Sequence, residues 1–233
     1  MASAFFNKMK KHYFTKNEIV LWAGSILFIT ISFFMGKSHD YVTLTASLIG
    51  ASSLILNAKG NPLGQVLMIV FSILYGAVSY TFSYFGEMIT YLGMTLPMSL
   101  IALVSWIKNP YEENHAQVKV NKINKKDVSF MIFSSVLVTI LFFFILKFFN
   151  TSNLIPSTIS VTTSYAAAYL TFKRSPYFAL AYALNDIVLI VLWIAASFES
   201  AEYVPVVICF TVFLVNDLYG FINWLKMEKQ QAK

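Results

Sequence analysis

The sequence predicts an all-α integral membrane protein of about eight spanning helices, and three features carry that prediction. Of the 233 residues, 58% are hydrophobic and only 12% are charged, whereas soluble domains carry about 25% charged residues because their surface faces water. The charges are confined to short segments between long apolar runs. Lysine and arginine alternate from loop to loop, as they do in proteins whose cytoplasmic loops are basic.

A spanning helix needs about 20 mostly apolar residues. The first such run, 19–35, follows a basic N-terminus with Lys8, Lys10, Lys11 and Lys16 and closes on Gly36-Lys37-Ser38. It is longer than the apolar core of a secretory signal, about 7–15 residues, and reads as a retained anchor. The next runs are 41–57, 62–85 and 87–107, with a tight break at Gly86 that leaves seven spans open. After a basic loop come 128–149, 156–172, 177–197 and 204–225. With eight spans and a cytoplasmic N-terminus, the inner segments hold 15 of the 17 basic residues, Lys37 and Lys147 being the exceptions. Both termini are then cytoplasmic, in the plasma membrane. The net charge of +6 lies between apolar runs rather than on one folded face, so a nucleic-acid partner is not expected; the lipid bilayer is.

The chain also repeats. Asn61-Pro62 opens the third span and Ser175-Pro176 the seventh, each after a short basic turn. Ser105-Trp106-Ile107-Lys108 closes the fourth, and Asn223-Trp224-Leu225-Lys226 the eighth. Spans 2–4 and 6–8 therefore read as two three-helix bundles joined by span 5. A single intervening span makes the repeat parallel, a construction used by transporters that hold substrate between their halves near the midplane. The expected divisions are 1–40 for the basic N-terminus and first helix, 41–107 for the first bundle, 108–156 for the loop and linker helix, and 157–233 for the second bundle and basic tail.

Charged groups at mid-bilayer cost at least about 2.5–3.5 kcal/mol and need a reason. Asp186 and Asp217 lie well inside spans 7 and 8, each preceded by asparagine, as Asn185-Asp186 and Asn216-Asp217. Asn223 and Tyr219 share the Asn216 face at helical spacing. On span 7, Phe178, Tyr182 and Asn185 form one stripe, bordered by Asp186 and Trp193. This groove of amides, carboxylates and rings suits stacking on a flat ring and hydrogen-bonding a polyol. The same Asn and Asp side chains also serve as interhelical glue in other membrane proteins. Gln65, one turn into span 3, is a further candidate. Glu87 opens span 4, where a carboxylate favours a helix N-terminus, so it reads as a cap. Pro97 lacks the amide hydrogen of the helical ladder and is expected to kink span 4 as a hinge. Trp22, Trp106 and Trp224 lie near span ends, as interfacial anchors do, while Trp193 is deeper.

Enzyme signals are weak. His12, His39 and His115 lie in loops, with no metal-ligand spacing. Neither a nucleophile elbow nor a phosphate-binding glycine loop occurs, so neither metal nor other cofactor is expected. The single Cys209 excludes an intramolecular disulfide.

Three stretches resemble the PnuC family: residues 84–98, beginning Tyr84-Phe85-Gly86-Glu87; residues 185–193, from Asn185-Asp186 to Trp193; and residues 213–224, containing Asn216-Asp217-Leu218-Tyr219-Gly220-Phe221-Ile222-Asn223-Trp224. The resemblance spans roughly residues 45–227. It implies a SWEET-like 3+1+3 fold with an extra N-terminal helix, and facilitated diffusion of a nucleoside-like vitamin precursor, by default nicotinamide riboside. It further implies uptake drawn by a cytoplasmic kinase, with Asn185, Asn216 and Asn223 bonding ribose or base. The W-x-x-W motif of nicotinamide riboside members falls here at Phe178 and Ala181, neither a tryptophan. Thiamine, riboflavin and nucleosides or deoxynucleosides therefore stay open as cargo. So do a homo-oligomer and a binding subunit that needs a separate ATPase.

Overall fold

The computed structural model describes residues 13–35, 40–81, 84–151 and 153–232. The expectations resting on Lys8, Lys10, Lys11, His12, Lys37 and His39 lie outside the described residues. Among the described residues eight long helical segments follow one another: α1 (Lys16–Met35), α2 (Tyr41–Ala58), α3 (Leu63–Thr81), α4 (Phe85–Ile107), α5 (Lys125–Phe148), α6 (Leu154–Phe172), α7 (Tyr177–Ser197) and α8 (Val204–Gln231). Seven of them are long and apolar enough to cross a membrane, and the chain is a multi-pass membrane protein. The eighth, α6, is 19 residues long, but its hydropathy is diluted by Ser157, Thr158, Ser160, Thr162, Thr163 and Ser164. It lies between α5 and α7 and touches α4, and this polar face turns inward.

The helices pack as a cycle. Helix α2 packs on α3, α3 on α4 and α4 on α6; α6 packs on α7, α7 on α8, and α8 returns to α2. Helix α1 lies against α2 and α8, and α5 lies against α6. The lipid-facing side of α5 carries exposed Ile132, Val136, Leu137, Ile140 and Phe144.

The repeated sequence landmarks become repeated geometry. Helix α2 ends at Lys59-Gly60-Asn61, with Gly60 in the left-handed region at φ 66°. There Gly60 N donates to Asn57 O, and Asn61 N to Leu56 O. Helix α6 ends at Lys173-Arg174-Ser175, with Arg174 at φ 57°, Arg174 N donating to Thr171 O and Ser175 N to Leu170 O. Both are Schellman turns, which satisfy the last carbonyls of a helix through a left-handed residue. Each turn lysine pairs with an acid in the first turn of an earlier helix: Lys59 with Glu18 at 3.0 Å and Lys173 with Asp127 at 2.7 Å. Both acids belong to N-terminal capping pairs, Thr15 with Glu18 and Asn124 with Asp127. The correspondence thus reaches α1 and α5, which the sequence pattern leaves as an extra helix and a connector. Beside Asp127, the Lys173 ammonium is held above the usual lysine range, chiefly by its hydrogen bond to that carboxylate.

Trp106 and Trp224 are not interfacial anchors. Both are fully buried, with ring centroids 5.4 Å apart. Trp106 Nε1 donates to Thr171 O at 2.9 Å, and Trp224 Nε1 to Asn57 O at 2.8 Å. Each tryptophan therefore ties the end of its own helix to the corresponding turn of the other copy. Trp22 does stay half-exposed, donating to Ser52 Oγ.

The 108–124 loop contains a short antiparallel pair, Pro110–Tyr111 with Asn114–Val118. It forms a strap across the basic end. Val118 N donates to Gly60 O, Asn121 N to Arg174 O, and Val120 N to Gln231 Oε1. The Val118 side chain is fully buried against Trp106 and Trp224.

Candidate functional site

At the centre of the bundle, six helices converge on a narrow cavity of about 30 Å³, room for a water or two. Helix α7 contributes Tyr182, Asn185 and Asp186, and α8 contributes Phe210, Phe213 and Asp217; the 3–4 residue spacings keep each set on one face. Helix α3 supplies Met68 and Phe71, α2 supplies Leu54 and α6 supplies Ser164. Helix α4 reaches the cavity with Tyr91 and Thr95, the first and last residues of a π-helical turn that precedes Pro97. There Leu96 N bonds Tyr91 O, a wide turn of the kind found at functional sites and near ladder breaks. Pro97 itself faces outward, so the irregularity expected of it is expressed one turn earlier. Gly50 on α2 permits the approach of Phe213, whose ring would collide with any Cβ there.

Asn185 Oδ1 accepts from Thr163 Oγ1 at 2.8 Å, Ser164 Oγ at 3.0 Å and Ser160 Oγ at 3.3 Å. The hydroxyl face of α6 thus fixes the amide, and its NH₂ has no protein acceptor among the described residues. Asp186 and Asp217 both line the cavity, and Asp186 Oδ2 is buried without a partner among the described residues. Both ion pairs found among the described residues lie at the basic end, so no lysine or arginine neutralises these carboxyls.

The cavity is closed at both ends by rings. Toward the basic end, Trp106, Phe178 and Trp224 pack together, with Tyr182 beside Phe178. Toward the other end, Trp193 packs against Tyr84 and Tyr203 at 4.8 and 5.6 Å and against Tyr75 at 6.4 Å. Tyr75 in turn meets Tyr91 at 4.4 Å. Glu87 lies fully buried near this second cluster, and neither carboxylate oxygen is bonded among the described residues. It does not cap α4 as its position suggests.

The expected site residues therefore divide. Tyr182, Asn185, Asp186 and Asp217 meet around the cavity, while Phe178 and Trp193 belong to the plugs on either side of it. Asn216 Nδ2 instead donates to Ser25 Oγ on α1 and to Val212 O. Tyr219 donates to Glu18 Oε1, and Asn223 to Ala58 O. These three do share one stripe, but it faces α1 and α2. Asp217 is one residue, about 100°, around the helix, and that rotation turns it inward. Gln65 Nε2 donates to Asn57 Oδ1 within the α2–α3 contact. Sequence reasoning missed Tyr91, Thr95, Phe71, Phe210, Phe213 and Ser164. The serine and threonine density of α6 and the tyrosine and threonine just before Pro97 were the available signals.

Comparison with known proteins agrees with this architecture. The structure resembles the chain described as "Crystal structure of the Vitamin B3 transporter PnuC", with a TM-score of 0.81, 24% identity and 94% of each chain covered. Two proteins named nicotinamide riboside transporter PnuC are similar in sequence. The one from Neisseria mucosa is 24% identical over 216 residues, 91% of this chain and 82% of that protein. The one from Haemophilus influenzae is 23% identical over 212 residues, 91% of both. The family profile described as nicotinamide mononucleotide transporter matches residues 40–226, and the chain belongs to that family of membrane transporters.

Proposed function

We propose that this chain carries nicotinamide riboside across the plasma membrane by facilitated diffusion, with both termini in the cytoplasm. The observation that carries the reading is the central cavity, an aromatic and apolar lining that presents Asn185, Asp186 and Asp217 between two aromatic plugs. The pyridinium ring of nicotinamide riboside bears a fixed positive charge. Its ribose offers hydroxyls to Asp186, Asp217 and the free NH₂ of Asn185, and Tyr91, Phe71, Phe210 and Phe213 give it faces for stacking and cation–π contact. A carboxylate formed here opposite the pyridinium gains an attraction that a neutral nucleoside does not offer.

The cavity is far smaller than the ~300 Å³ at which small-molecule sites begin. Loading therefore requires helices to part, and we assign that motion to the two three-helix sets, α2–α4 and α6–α8, moving about the π-helical turn of α4. The chain has no phosphate-binding loop, which fits transport without ATP and net uptake drawn by phosphorylation of the cargo inside the cell. Thiamine, also a cationic heteroaromatic, is the second reading, favoured by the absence of tryptophan at Phe178 and Ala181.

Proteoliposomes containing only this protein should equilibrate labelled nicotinamide riboside, with the rate unchanged by ATP or by a protonophore. Equilibration of labelled thiamine but not of nicotinamide riboside would move the assignment to the second reading. Binding of either without flux would instead indicate a subunit that needs an ATPase.

A further inference from the structure

A second concavity, of about 630 Å³, opens on the outside of the bundle between α4 and the α6–α7 turn. Its upper wall is Leu100, Ile101 and Val104, about half-exposed on the lipid side of α4, with Phe172 opposite. Its lower end is formed by Lys108, Lys173 and Arg174, at the level where the strap crosses the basic end. No acidic residue lines it.

The Arg174 guanidinium is held in place. Its backbone takes the left-handed conformation at φ 57°, a strained one for a residue with a Cβ. Nε donates to Lys119 O and Nη1 to Ser105 Oγ, so Nη2 keeps its donors for something else. Lys173 is paired with Asp127, whereas Lys108 and Arg174 have no carboxylate partner among the described residues. In the other copy Lys59, the counterpart of Lys173, is likewise neutralised, by Glu18, and covered by Tyr13 and Phe14, while Gly60 stands in the place of Arg174. The groove between α1 and α2, about 460 Å³, has an apolar lining with Glu18 and no base. Net positive charge beneath an apolar, bilayer-facing wall therefore belongs to the α4–α6 groove and not to that one.

From this pairing of chemistries we infer that the α4–α6 groove is a binding site for one anionic phospholipid of the adjacent leaflet. Its phosphate lies on Arg174 and Lys108, and its acyl chains lie along Leu100, Ile101 and Val104. Basic pockets between spanning helices on the cytoplasmic side bind such headgroups. A free phosphate would use the bases but leave the apolar wall uncovered. The groove adjoins the bonds from Ser105 to Phe172 O and from Trp106 to Thr171 O, so the lipid braces the junction that closes the basic end of the cavity.

The test uses the purified full chain, with lipid retention measured by native mass spectrometry and melting followed during titration. Phosphatidylglycerol should stay bound at one molecule per chain and raise the Tm, while phosphatidylcholine does neither. The double variant Lys108→Gln/Arg174→Gly, whose glycine suits the left-handed backbone, should lose phosphatidylglycerol retention by about tenfold or more. The control Lys226→Gln/Lys229→Gln should keep it. Equal retention of the two lipids by the wild type would overturn the inference, as would equal loss in both double variants. A Tm rise with inorganic phosphate alone that matches the effect of phosphatidylglycerol would also overturn it.

Discussion

The two ends of the central cavity are each closed around tryptophan, but by different means. At the basic end, the indole N–H groups of Trp106 and Trp224 are bonded to main-chain carbonyls of the opposite copy, and the strap seals them from outside through Val118. At the far end, Trp193 is equally buried, yet its N–H has no acceptor among the described residues, and ring contacts with Tyr75, Tyr84 and Tyr203 hold it. A ring contact is worth about 0.5–1.5 kcal/mol. Each indole bond adds about 0.5–1.5 kcal/mol net on top of the ring contacts at the basic end, since Asn57 O and Thr171 O also accept from Gly60 N and Arg174 N. The far end is thus the easier to open, and the basic end is a latch.

The largest expected effect comes from breaking the latch. Trp224→Phe should lower stability by about 1.5 kcal/mol, because the indole bond to Asn57 O is lost, although Gly60 N still donates to that carbonyl and most of the ring packing stays. Trp193→Phe should cost about 1 kcal/mol or less, since no bond is lost. Thermal melts of both variants measure the contrast directly, and equal losses would remove it.

Accessibility sharpens the same comparison. Cys209, the single cysteine, is buried in the cluster that contains Trp193 and Tyr75. Trp193→Ala should speed its reaction with a maleimide by roughly tenfold, which corresponds to opening made about 1.4 kcal/mol easier. Trp106→Ala should leave that rate close to the wild-type value. A smaller effect is expected at Glu87. Glu87→Gln should leave stability unchanged or raise it by up to about 1 kcal/mol, because it removes a buried carboxyl that makes no bond. A Tm fall of several degrees would instead reveal a partner for that carboxyl.

The same contrast separates what the sequence could reveal from what it could not. Span limits were legible because lipid demands long apolar runs, and α6 was readable despite its hydroxyls because Pro156 and the Lys173-Arg174 turn bracket it. The α7 half of the cavity was legible because Asn185 and Asp186 are conspicuous in an apolar helix. On α8 the pattern identified the polar stripe but not which way it faces, since periodicity fixes which residues share a face and packing fixes its direction. Helix α1 occupies that side and takes Asn216 and Tyr219 through Ser25 and Glu18. Tyr91 and Thr95 escaped because the π-helical turn shifts the register of α4 by about one residue. Trp106 and Trp224 resembled interfacial anchors because the strap that buries them comes from a polar loop whose fold no hydrophobic period announces.

On the proposed function, cargo binds in the cavity and not along the Asn216 stripe. Titration calorimetry of labelled or unlabelled nicotinamide riboside against Asn185→Leu and Asn216→Leu tests it most directly. Asn185→Leu should abolish measurable binding, while Asn216→Leu should keep wild-type affinity and lose only stability. Loss of binding in Asn216→Leu with full affinity in Asn185→Leu would contradict it.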